Sequence, residues 1–472
     1  MDLASAPLPR RPLASSIRRS RAAWAGTVLV TLAVAVPLPA QASMSPLDSL
    51  VSEGLAANPG LRARSLEITR DDAAVREAAG RWLPTATLTG RASELRGAVI
   101  DVGTLVNPAY AALNQLLGEP RFPTDVQVRL PLRQEAIVRL QQPLFEPRLV
   151  EAHRIAVAAR DATIASRDAA RRQLAADIRL AYLQLARAER AHAILAATVP
   201  LVLEGERVAE RLLAVGKVTP DNVLRARAER STVEQQRDQA RQLADAARRQ
   251  LNLLVGRPID APFALLPDSA LAFERRWDAL ADSAAPVPRA LATREELRQL
   301  DRARDVAGAQ ARLARTAFLP SIGLGLDYGV QGNTIRLRSD RDFAVASVVL
   351  SWNLFNGGQD RARVEQARAE AAAIAMRRAD VSRQVTLQVE VAHEAARVAH
   401  TALATADARL AAATRGFELV QRRYAQGMAP QLELLDARTA LTAAQLNRLL
   451  TTYDFYARIV DLDRAAALTA PE

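Results

Sequence analysis

Reactive side chains are sparse in this chain of 472 residues: its histidines are His153, His192, His393 and His400, and it has no cysteine. Without thiols, disulfides, thiolate nucleophiles, Cys-ligated zinc, iron–sulfur clusters and lipid attachment at an N-terminal cysteine are all excluded. His393-Glu394 lacks the second histidine, four residues from the first, that would let one helix face grip zinc. The histidines are therefore expected to pack on helix surfaces. No glycine-rich loop of the phosphate-cradling kind occurs, so neither nucleotide hydrolysis, nor a cofactor, nor any enzyme activity is expected. The charge that invites a chemical reading is the pair Glu433 and Asp436, three residues apart on one helix face. At three and four residues from either stand Ala429, Pro430, Leu432, Ala437, Thr439 and Ala440, with no base among them. In a chain of 63 basic and 52 acidic residues, such an uncompensated pair has two readings. It is a solvated face near a helix N-terminus, where acids are favoured. Alternatively, repeated by symmetry about an axis, it forms acidic rings that attract cations.

The formal charge of +11 is no nucleic-acid footprint. Arg10, Arg11, Arg18, Arg19 and Arg21 sit in the first 42 residues against Asp2, and the other arginines are interleaved with acids along alanine-rich stretches. Lys217 is the only lysine. The N-terminal arginines precede an apolar run over residues 22–36, then Pro37 and Ala40-Gln41-Ala42. This reads as a secretory signal over residues 1–42. The alternative, a membrane anchor, needs ~20 apolar residues, and the run is shorter. The mature chain is expected to leave the cytoplasm.

An internal repeat organises the rest. Arg81-Trp82-Leu83-Pro84-Thr85 returns as Ala317-Phe318-Leu319-Pro320-Ser321, 236 residues on. Gln142-Pro143-Leu144-Phe145 answers Asn353-Leu354-Phe355 at 210, and Val215-Gly216-Lys217 answers Gln426-Gly427-Met428 at 211. The first copy therefore carries about 26 extra residues, expected as a long loop over 97–133 in which Asn107-Pro108-Ala109-Tyr110 opens a short helix. Each copy reads as a helix, two extended segments, a long helix, a turn and a shorter helix. Residues 321–330 alternate Ile322, Leu324, Leu326, Tyr328 and Val330 against Ser321, Gly323, Gly325, Asp327 and Gly329. Residues 85–92 set Ala86, Leu88 and Ala92 against Thr85, Thr87, Thr89 and Arg91. Residues 343–354 carry apolar side chains at Ala344, Ala346, Val348, Leu350, Trp352 and Leu354, and 137–144 has the weakest pattern of the four.

The helical stretches, 147–215 and 359–426, are long enough to form rods of about 100 Å at 1.5 Å per residue. Leu174, Ile178, Ala181 and Leu185, and Val389, Ala392, Ala396, Ala399 and Leu403, recur at the three- and four-residue spacing of a coiled-coil seam. Pro200 is expected to kink or locally break the first rod. Four strands leave two open edges, fewer than a closed membrane barrel holds, whereas three copies supply twelve.

The motifs that carry a resemblance are now in view. They are the Leu-Pro entries to the strands (Ala79 to Pro84, Arg315 to Pro320) and Leu350-Ser351-Trp352-Asn353-Leu354-Phe355-Asn356-Gly357-Gly358. Two glycine-centred turns, followed by Val223-Leu224-Arg225-Ala226 and Leu434-Leu435-Asp436-Ala437, complete the set. On these, from about Pro46 to Ala467, the sequence resembles the TolC-like outer-membrane efflux family, the exit ducts of tripartite efflux pumps and type I secretion systems. The resemblance implies a mainly α fold with a small β-barrel part: a homotrimer with a twelve-stranded barrel in outer-membrane lipid, continued by a long periplasmic α-helical barrel. It implies as partners a periplasmic adaptor and an inner-membrane pump of the RND or ABC type, and no nucleic acid.

The domain boundaries expected on this basis are 43–84 for the first N-terminal helix and 85–144 for strands one and two. The first hairpin is expected at 145–255, an equatorial connector at 256–288 and the second N-terminal helix at 289–319. Strands three and four follow at 320–355, the second hairpin at 356–468 and a tail at 469–472. The turn residues Val215, Gly216, Lys217, Val218 and Thr219, with Gly427, Met428, Ala429 and Pro430, read by themselves as two hairpin turns. Gly216 suits a left-handed helix end, Thr219 and Pro220 a helix start, and Ala429 makes a poor cap. The resemblance makes them the periplasmic tips that meet the adaptor. It also makes Glu433 and Asp436 the pore constriction, and Asp221, Asn222 and Tyr424 a closed-state gate network. With Ala429 where some members carry arginine, an arginine-centred ionic lock across that seam is not expected. The competing reading is a periplasmic coiled-coil scaffold or adaptor without a pore.

Overall fold

The computed structural model describes residues 46–94, 100–126, 129–130, 134–267, 271, 273–281, 286–332 and 342–468. The signal segment 1–42, the tail 469–472 and parts of the 97–133 loop and the 256–288 connector lie outside the described residues. The first copy of the repeat holds helices α1 (Pro46–Ala57) and α2 (Pro59–Gly80) and strand β1 (Thr85–Ala92). Its insertion follows, with β2 (Ile100–Asp101), α3 (Gly103–Leu117) and β3 (Arg129–Leu130), and then β4 (Gln134–Phe145), α4 (Pro147–Ala214) and α5 (Pro220–Val255). A connector with α6 (Phe273–Ala281) leads to the second copy: α7 (Pro286–Thr293), α8 (Glu295–Arg315), β5 (Ser321–Gly332), β6 (Asp342–Ser351), α9 (Gln359–Ala425) and α10 (Gln431–Ala466). Among the described residues no helix is long and apolar enough to cross a membrane.

The strands form one antiparallel sheet in the order β1-β4-β5-β6. Direct pairing puts Ala86, Leu140, Leu326 and Ala346 in one row, and Leu88, Val138, Tyr328 and Ala344 in the next. These rows share a face, so alternation read along single strands becomes one apolar surface. The opposite face carries Thr87, Arg139, Asp327 and Val345 in register, and the Arg139 guanidinium donates two 2.9 Å hydrogen bonds to the Asp327 carboxylate across the strands. Leu88 is 75% exposed and Val348 68%, so among the described residues much of the apolar face is uncovered, although Val330 at the end of β5 is buried. Among the described residues β1 and β6 each bond to a strand on one side only. β4, whose sequence pattern is the weakest, is a central strand paired on both edges, because its ladder rather than its alternation holds it.

The long rods run as expected from alanine-rich sequence nearly free of glycine, with one difference. α4 continues unbroken through Pro200, although proline removes a hydrogen bond there. The flanking turns supply many bonds, and Thr198 adds a 2.9 Å side-chain bond back to the Ile194 carbonyl. The 97–133 loop also differs. Its helix starts at Gly103, with Pro108 inside it instead of at its opening. Asn107 and Asn114 clamp the returning strand by bonding both backbone groups of Val126 and of Phe122.

The core lies midway along the rods, where α1, α6, α7 and the connector pack against them. Ile178, Tyr182 and Leu185 of α4, Leu251 of α5, Val385 and Val389 of α9, and Phe455, Ile459 and Leu462 of α10 are buried together. The seam alanines Ala181, Ala396 and Ala399 belong to it and let backbones approach. A side chain at Gly54 would put a Cβ 2.4 Å from Ile178 Cδ1, so a larger residue there requires that buried side chain to shift. His393 and His400 both pack on buried Trp277, at 5.8 and 5.7 Å between ring centroids. His393, half-buried, thus packs on its helix surface as part of an aromatic cluster, because the connector folds back over its helix.

α8 is joined to α4 by a buried ion pair, Arg172 to Glu295, at 2.8 Å. Burial pushes the Glu295 carboxyl up, but hydrogen bonds from Arg172 and from its own backbone, with the charges of Arg172 and Arg298, outweigh burial and hold it below its ordinary 4.5. A carboxyl depressed by folding adds stability above its unfolded value and loses it as pH falls through the folded one. Acidification below about pH 4.5 is therefore expected to weaken this seam. Glu295→Gln is expected to lower stability at neutral pH and flatten the acid limb, as read from unfolding midpoints across the acid range.

Candidate functional site: the tips of the two hairpins

Both long rods end in the same local structure. At the first tip the Gly216 amide donates to the Leu213 carbonyl and the Lys217 amide to Leu212, each at 2.9 Å. At the second, Gly427 donates to Tyr424 at 3.0 Å and Met428 to Arg423 at 2.8 Å. This is the Schellman arrangement, and it needs the left-handed φ of 71° at Gly216 and 73° at Gly427. Val215, Lys217 and Met428 stand exposed beyond it, Val218 is half-buried and Ala429 is buried. Repeated sequence has produced repeated geometry.

The helix starts differ from each other. Thr219 precedes Pro220 with extended backbone, and its hydroxyl bonds the Asp221 carboxylate, which also pairs with Arg225 at 3.8 Å. The second start is capped at Pro430, not Ala429, since α10 begins at Gln431. Gln431 reaches across to the first hairpin and donates to the Asn222 carbonyl at 3.3 Å. Within one subunit, Asp221 and Asn222 thus face Thr219, Arg225 and Gln431, and neither bonds to Tyr424. Tyr424 lies instead near Arg438.

Glu433 is not uncompensated. The Arg423 guanidinium, from the preceding helix, meets it at 2.9 Å and also donates to the Met428 carbonyl at 3.4 Å. The turn folds residue 423 back onto 433, a contact that spacing along one helix cannot reveal. Asp436 is exposed, with no partner among the described residues. Sequence reasoning also missed the polar contacts beside the tips. Within the first hairpin, buried Glu206 of α4 meets Arg227 at 3.0 Å and Arg230 at 3.2 Å on α5, and between the hairpins Thr439 of α10 donates to Glu229 of α5 at 3.3 Å. Among the described residues, no group of three or more His, Asp or Glu side chains is placed to hold a metal ion.

An amphipathic sheet with open edges, mounted on two rods about 100 Å long, is the architecture of a helix-extended outer-membrane channel protein. The outer membrane efflux protein family matches residues 132–257 and 287–468, and this chain belongs to that family. The pyoverdine export outer membrane protein OpmQ of Pseudomonas putida is 28% identical over 219 residues, 44% of this chain and 46% of that one. The match thus spans about half the length of that relative. Among solved structures, the open state of the Neisseria gonorrhoeae MtrE outer membrane channel superposes with TM-score 0.70 at 20% identity, covering 89% of each chain. The outer membrane protein VceC of Vibrio cholerae does so with TM-score 0.72 at 17% identity, covering 89% of this chain and 95% of that one. The fold is that of the TolC-like channels.

Because both tip glycines sit in the left-handed region, Gly216→Ala and Gly427→Ala are each expected to cost about 1–2 kcal/mol. The loss should appear as faster proteolysis at the tips, with the midpoint of global unfolding little changed.

Proposed function

We propose that three copies of this chain form the outer-membrane exit duct of a tripartite efflux or type I secretion system. The observation that carries this reading is the four-stranded sheet, apolar on one face, with the Arg139–Asp327 pair on a mixed opposite face, and open at both edges. Three such sheets joined edge to edge give twelve strands with lipid outside and water inside. A second feature supports the assembly. On α9, Leu387, Val391 and Val398 are more than half exposed and form a stripe with Ala395 and Ala402, a face suited to a neighbouring copy's rod.

The duct conducts passively. It takes cargo handed over by an inner-membrane pump, of RND or ABC type, through a periplasmic adaptor that docks on the tips at residues 215–219 and 427–430. Movement of the tips opens and closes it, with Asp221, Asn222 and Tyr424 placed at the seams between hairpins. Residues 1–42 act as the export signal. The likeness to a pyoverdine export protein supports small-molecule cargo. Asp436 forms the stronger acidic ring, because Arg423 already offsets the charge of Glu433.

Purified protein in lipid is expected to be trimeric and to pass ions across a planar bilayer with preference for cations. Asp436→Asn should reduce that preference several-fold, and Glu433→Gln should reduce it less. Monomers that pass no ions would refute the duct and leave the pore-free scaffold as the reading.

A further inference from the structure

The seam between the hairpins holds a buried charge whose hydrogen-bonding capacity is not met. Arg438, on the second turn of α10, is 8% exposed, and its Nε and Nη1 find no hydrogen-bond acceptor among the described residues. It lies against α4 at Gly205, where a Cβ would stand 3.3 Å from Nη1. Of the acids nearby, Glu206 is held by Arg227, and Glu229 acts on Arg438 through its charge without a hydrogen bond to it. Both orphaned nitrogens are sealed by the subunit's own atoms, so an acceptor on a neighbouring copy does not reach them. A guanidinium taken from water without replacement hydrogen bonds is costly. Burial lowers its proton affinity, against the opposing pull of Glu229 and Tyr424.

We propose that Arg438 is a positioning residue that keeps the two hairpins poised to part: the packed seam bears the cost of its desolvation, and separation at Gly205 returns its nitrogens to water. Gly205 leaves room for the burial: a Cβ there would stand 3.3 Å from Nη1, a contact that the guanidinium relieves by moving a few tenths of an ångström. Arg438 thus opposes closure, the reverse of an ionic lock, while Gln431 with Asn222 and Thr439 with Glu229 favour it. This inference rests on reading the tips as a moving gate.

The test compares purified wild type with Arg438→Met, which keeps length and removes charge, and with Gly205→Ser, which offers Nη1 an acceptor. Single-channel recordings in planar bilayers are read beside thermal unfolding of the assembled protein. Both variants are expected to lower the open fraction at least threefold while the unfolding midpoint stays level or rises. An unchanged or higher open fraction, a lower midpoint, or failure of Arg438→Met to assemble would each overturn the inference, because each makes the arginine a stabiliser of the packed seam. Wild type that conducts while the variants behave like it removes this inference alone. Wild type that does not conduct removes the duct and the inference together.

Discussion

Backbone groups left unpaired at the outer edges of β1 and β6 are the constraint on which the rest of the molecule turns. In hydrocarbon an open sheet edge has no water to bond, so a four-stranded sheet with an apolar face is stable there only when its edges are closed by other strands. One chain supplies four strands and cannot curl them into a barrel. Its exposed apolar rows, its Arg139–Asp327 pair on the opposite face and its exposed α9 stripe are the features on which the proposed assembly with copies of itself rests. The rods inherit the same logic, since a helix about 100 Å long finds partners along its length only in a bundle or a tube.

Duplication explains how one chain builds two such rods, and divergence explains where they differ. The Schellman ends at Gly216 and Gly427 are alike bond for bond. Past them the copies part company. One continues through Thr219 and Asp221 with a local polar turn, and the other through Pro430 and Gln431 with a bond to its sister hairpin. The seam that results mixes contacts that are made, such as Gln431 with Asn222, and the unsatisfied Arg438. Marginal packing of this kind is compatible with the proposed movement of the tips, because deep stability there would hold them in one state. The mid-rod core is the opposite, dense and aromatic around Trp277, Phe455 and Tyr182.

Much of the fold was legible in the sequence because it is periodic. Alternation over 321–330 and 85–92 marked strand faces that the register then aligned, and the three- and four-residue spacing of Ile178, Ala181 and Leu185 marked residues that are buried. Punctuation was less reliable. Pro200 did not break α4 and Pro108 did not begin α3, since a proline's local cost is small beside the packing and hydrogen bonds of a long or clamped helix. The candidate site was legible in its turns and not in its pairings. Glycine at a left-handed helix end is a local requirement, whereas Arg423 on Glu433, or Trp277 on His393, depends on where distant backbone comes to lie.

By itself, then, the amino-acid order determined the duplicated plan, the strand and helix periods, the sidedness of each strand and the glycine turns, all consequences of steric and solvation rules acting within a few residues. Only the tertiary structure decided which charges meet, that Glu433 is neutralised while Asp436 is not, and that Arg438 is shut away beside Gly205. The physical reason is that electrostatic and desolvation energies depend on separation in space and on access to water, and both are set by packing between elements far apart in the chain.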